Sequence, residues 1–247
     1  MSECCEGSET PKMTAALTLK NIFSSNPKWE PERNLIIFTG IAVVSLLIIL
    51  LVMSMTLFSQ IPNFKEIYFP LLALSAIICA IITGCGYHFL AYKKPVPCSI
   101  GMMEGMSFGM MAGFLIGALI GATNGMFWGS IVAMVASSII GVWAGKCCGV
   151  MGVIEGLMAG IMGGTMGAML SVMLLAEPLP IFLALLTFMC SIVLIALAYM
   201  RIVEYGELGT NTRIESPISM TSTALIFFIL LTLFMVYGPK SGPVWGL

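Results

Sequence analysis

Six methionines and one glutamate, Met151, Glu155, Met158, Met162, Met166, Met169 and Met173, recur at spacings of 4, 3, 4, 4, 3 and 4, which puts all seven on one face of a helix. Such a face is a ladder of thioethers that begins at a carboxylate. Thioethers are soft, polarizable donors that suit Cu(I) and discriminate against Mg2+ and Ca2+, which take oxygen. A shorter set, Met102, Met106 and Met110, repeats at i+4. Methionine also fills irregular gaps between helices because it is unbranched and adaptable. The pattern therefore supports either a soft-metal path or packing.

Two acids stand inside otherwise apolar stretches, Glu104 and Glu155. Leaving an ionised group in hydrocarbon costs about 2.5–3.5 kcal/mol even on the lenient insertion scale, so each is a candidate gating or ion-coordinating residue. A carboxylate near a helix amino terminus is also favoured by the macrodipole, which gives both a structural reading. His88, the single histidine, follows Cys85 and Tyr87 and offers an imidazole ligand or an interfacial hydrogen bond. One histidine excludes poly-histidine metal sites within the chain, and the absence of Asp excludes aspartyl phosphorylation. No P-loop, G-x-S-x-G, H-E-x-x-H or dinucleotide fingerprint occurs, so no enzyme activity is expected.

These side chains need helices to position them. Glycine falls at every fourth position from Gly101 to Gly129, and the beat continues through Ala133 and Ser137 to Gly141, Gly145 and Gly149. It restarts one residue early as Gly152, Gly156, Gly160, Gly164 and Ala168. In lipid, small residues at i and i+4 let helix backbones approach and gain van der Waals contact. The centre of the chain is expected to be a tightly packed bundle of transmembrane helices.

Composition agrees. The 247 residues are 59% apolar and 9% charged, with mean hydropathy +1.03, far from a soluble domain. Apolar runs lie at about 34–58, 67–92, 101–121, 125–145, 149–174, 178–200 and 219–237, each long enough to cross a hydrocarbon core of about 30 Å. The expectation is an all-α polytopic bundle of about seven spans: a polar cytoplasmic tail at 1–33 with a possible interfacial helix, a membrane domain at 34–237, and a short external tail at 238–247. The tail carries no signal-peptide core. The segments 101–121 and 152–172 match around Glu104-Gly105 and Glu155-Gly156, as a parallel internal repeat would; convergence of biased Gly/Met sequence is the other explanation.

With alternating loops, nine Lys and Arg fall on one side and two, Lys65 and Lys240, on the other. The positive-inside rule then puts the amino terminus in the cytoplasm and the carboxyl terminus outside, in a plasma or inner membrane. Trp128 and Trp143, about 22 Å apart at helical rise, suit the two interfaces of the fourth span. On this topology Cys4, Cys5, Cys98, Cys147 and Cys148 lie on the cytoplasmic side, where thiols stay reduced and metal capture is open to them. The adjacent pairs lack the C-x-x-C spacing of a zinc or redox motif.

Met158-x-x-x-Met162-x-x-x-Met166 and Gly105-x-x-x-Gly109 resemble the paired motifs of the Ctr-type copper-uptake channels. The likeness covers those few residues, and this chain has seven apolar runs where that family has three spans. What the resemblance implies is shared chemistry and no membership. Two functions are expected as alternatives. One is a transporter or channel for a soft cation, with Cu(I) bound by Met151, Met158, Met162, Met166, Met169, Met173, Met102, Met106, Met110, Cys147 and Cys148, and gated by Glu104, Glu155 and His88. The other is a non-catalytic structural or accessory subunit of a larger membrane complex, with glycine faces for helix packing and methionines acting as filler. The expected partners are the lipid bilayer and either further copies or other membrane subunits, with no nucleic acid.

Overall fold

A computed structural model describes residues 30–56, 64–91, 98–175, 178–205 and 217–241. All regular structure in these residues is helical: α1 (Glu30–Thr56), α2 (Phe64–Ala91), α3 (Cys98–Asn124), α4 (Met126–Gly145), α5 (Gly149–Met173), α6 (Leu179–Tyr205) and α7 (Pro217–Tyr237). Helices α2 to α7 are long and apolar enough to cross a membrane, and α1 has a shorter described apolar stretch, Ile37–Val52. The helix bounds lie within a few residues of the apolar runs because in lipid every backbone amide must be bonded within its own segment. Hydroxyls follow the same rule, as when Thr83 Oγ1 donates to Cys79 O at 2.7 Å and Thr187 Oγ1 to Leu183 O at 2.7 Å.

Glycine is a poor helix former in water, and here its missing side chain is what joins three helices. The stripe forms small-residue layers across α3, α4 and α5: Gly105 with Gly145 and Gly152, Gly109 with Gly141 and Gly156, Gly117 with Ala133 and Gly164, and Gly121 with Gly129 and Ala168. Between the second and third of these, Ser137 Oγ donates to Gly160 O at 2.7 Å across the α4–α5 crossing. The numbering rises together along α3 and α5 and falls along α4, so α3 and α5 run parallel, in direct contact, with α4 antiparallel to both. Of the positions that the sequence match pairs, Gly113 lies against Gly164, and Gly105 lies against the Gly152 carbonyl, one turn before its match Gly156.

The connections are short enough to hold this unit. Gly125 alone joins α3 to α4, at φ 89°, and a 3-10 turn over Lys146–Cys148 leads to Gly149 at φ 70°. Around the unit, α6, α7 and α2 pack on α3, and α1 packs on α2 and α7. Leu71, Leu72, Ile116, Leu119 and Leu231 are among the buried side chains of the common core. The possible interfacial helix, Cys4 and Cys5 lie outside the described residues.

Candidate functional site

Helix α5 has two opposed faces. Its glycines from Gly152 to Gly167 are buried against α3 and α4, and this turns the seven-residue ladder outward. Met151, Met158, Met162, Met166, Met169 and Met173 are 45–71% exposed, with Ile154, Leu157 and Ile161 beside them. Glu155, part-exposed, shares that face. These six methionine side chains do not occupy the space between α5 and its neighbours α3 and α4, where the helices meet at glycine backbone.

The outward faces elsewhere provide an internal comparison. On α6 the exposed residues include Ile181, Leu185, Phe188, Ile192 and Ile195, and on α7 Ile226, Ile229, Leu230 and Leu233. These are ordinary lipid-facing side chains. Six thioethers on α5, against one exposed methionine, Met189, on α6, mark the α5 face as chemically different. On α3, Met106 is exposed while Met102 and Met110 are half-buried. Met103 is also exposed.

The remaining candidates have separate surroundings. Cys148 is half-buried in the 3-10 turn just before α5, and the side chains of Cys98 and Cys147 lie outside the described set. His88 is buried in the last turn of α2. Among the described residues, no group of three or more His, Cys, Asp or Glu comes together. The outward α5 face therefore offers donors that are overwhelmingly thioethers.

Glu104 has a partner that sequence reading missed. The expected boundary of the sixth run at residue 200 put Arg201 in a loop, but α6 continues to Tyr205 and Arg201 is only 2% exposed. Its guanidinium forms a two-pronged pair with Glu104, Nε to Oε1 at 2.6 Å and Nη2 to Oε2 at 2.8 Å. Nη1 donates to Phe89 O at 2.6 Å, one of the last carbonyls of α2, which have no helical partner of their own. The guanidinium also lies 4.7 Å from the Phe89 ring centroid, and that ring meets Phe108 edge-on. The pair thus joins α2, α3 and α6. The signal available in the sequence was Ile202 and Val203 directly after Arg201, which continue the apolar helix past the charge.

Glu104 and Glu155 consequently have different environments: one is enclosed with a cation, the other faces outward among methionines. No protein-family model, curated protein or solved structure matches this chain.

Proposed function

We propose that this integral membrane protein handles a soft monovalent cation of the Cu(I) type, using the outward face of α5 as its donor surface. The observation that carries the reading is the unbroken thioether ladder on a face whose opposite side is sealed by backbone contact. Leu, Ile or Val would serve a purely lipid-facing surface as well, as α6 and α7 illustrate. A cation on a convex helix face would be bare on its lipid side, at a cost of about 2.5–3.5 kcal/mol or more. The α5 face is therefore one wall of a path, completed by further copies or by other membrane subunits. Glu155 supplies the charge at one end of that wall.

The test is equilibrium binding by the purified chain in detergent. Ag(I), or Cu(I) held by a competing chelator, should bind saturably, while Zn2+ and Mg2+ should not compete. Failure to retain either soft ion would leave the second reading, a non-catalytic subunit whose outward methionines adapt to a partner. That reading draws support from the same exposed face and expects obligatory co-purification with other membrane chains.

The proposed orientation has the amino terminus in the cytoplasm and the carboxyl terminus outside. Removing Arg201 from the loop charges leaves eight against two, so the positive-inside asymmetry keeps its sign. Single accessibility reporters at Thr10 and Leu208 in a cysteine-free background should label from the cytoplasm, and reporters at Pro62 and Pro243 from outside. Finding both termini on one side would remove the seven-span topology.

A further inference from the structure

The methionines of α3 and α5 flank a single seam. On α5, Gly163 lies against the backbone of Met110 in α3, while Gly160 and Gly164 lie against Ser138 and Met134 in α4. Each residue turns a helix by about 100°, so the step from 163 to 164 leads from α3 towards α4, and the step back to Met162 leads the other way. Met158, one turn earlier, follows Met162. Both stand beside the α3 contact on the side away from α4. On α3, Gly105 and Gly109 lie against Gly145 and Gly141 of α4 as well as against α5. One residue further round, Met106 and Met110 stand clear of α4, and Met110 is the residue whose backbone meets Gly163. The two pairs therefore border the same α3–α5 crossing on its open side, where Met106, Met158 and Met162 are exposed and Met110 is half-buried. Their levels agree, because Gly109 lies against the Gly156 carbonyl and the Gly160 amide. Further along, Gly167 lies against Phe114, and α3 has no methionine after Met111, so Met169 and Met173 have no thioether opposite them on that helix.

We propose that this seam is a two-helix thioether site for one soft monovalent cation, with Met106 and Met110 as donors from α3 and Met158 and Met162 as donors from α5. Thioether sulfur selects Cu(I) or Ag(I) over cations that take oxygen. Donors carried on two helices that are locked backbone to backbone keep a fixed spacing, so little ordering opposes binding. A ladder on α5 alone offers its sulfurs one above another along a single helix, whereas the seam brings sulfurs to the ion from two sides. The inference rests on the soft-cation reading and narrows it from a whole helix face to one level of the bundle. The further chain that completes the path covers the seam from its lipid side.

Titration of the purified full chain with Ag(I) against a competing chelator tests it. The double variant Met106→Leu, Met110→Leu should melt as the parent does and bind Ag(I) at least tenfold more weakly. If that variant does not fold, Met106→Leu alone, at an exposed position, should still weaken binding at least about threefold. The double variant Met169→Leu, Met173→Leu should bind within about twofold of the parent. Parent-like binding by the folded α3 variant, with binding lost when Met158, Met162 and Met166 are replaced, puts the ion on α5 alone and overturns the proposal while leaving the soft-cation reading in place. Equal weakening by the Met169 and Met173 variant overturns it in the same way. A parent that binds no Ag(I) removes the soft-cation reading itself, and the seam site with it.

Discussion

Gly113→Leu and Gly160→Leu should each prevent assembly of the bundle, read as loss of monodisperse protein and of a cooperative melting transition. A Cβ alone at Gly113 would come within 2.6 Å of Gly164 N, and one at Gly160 within 2.6 Å of Ser138 N. Both obstacles are backbone, so no rotamer change relieves them. Overpacking a core typically costs about 1–3 kcal/mol where side chains can shift, and these sites exceed that range because whole helices must separate. Gly40, where an added Cβ meets nothing within 4 Å, supplies the control: Gly40→Ala should melt as the parent does. Parent-like behaviour of both leucine variants would contradict the three-helix packing.

The second large effect concerns the ladder. Replacing Met158, Met162 and Met166 together by Leu keeps volume and apolarity nearly constant, and volume-conserving swaps usually cost under about 1.5 kcal/mol each. On an outward face the cost should be smaller still, so the triple variant should fold and melt like the parent. Its Cu(I) or Ag(I) binding should nevertheless fall at least tenfold, with cellular Ag(I) accumulation falling alongside. Glu155→Gln should give a milder defect, since it removes one oxygen donor and leaves every thioether.

The helices were legible because their cause is local. Lipid demands about 20 apolar residues per span, and a hydropathy pattern records that demand directly. The four-residue glycine beat was legible for the same reason, and it correctly placed the tightest packing in the middle of the chain. Which way a helix face points is a different kind of fact. Spacing alone put Met151 to Met173 on one face of α5, but only the glycine layers, pressed against α3 and α4, decide that this face is turned outward. A filler role between the glycine helices and an exposed donor surface look identical in the sequence.

Arg201 illustrates the opposite failure. A charge at the end of an apolar run reads as the membrane boundary, and the cost of burying it is offset by Glu104 and Phe89, which are 97 and 112 residues away in the chain. Pairs of this separation leave no periodic trace. Asn124 is similar: it reads as an ordinary helix end beside a turn glycine, while its partners, Phe234, Pro239 and Ser241, are more than 100 residues on.

X-ray absorption at the copper edge of the Cu(I)-loaded protein tests the central claim most directly, because it reports the donor atoms themselves. The account predicts a first shell dominated by sulfur in the parent and in a variant lacking all eight cysteines, and its loss in the Met158, Met162 and Met166 triple leucine variant. A shell of nitrogen and oxygen, or a sulfur shell that survives in the triple variant and disappears with the cysteines, would contradict it.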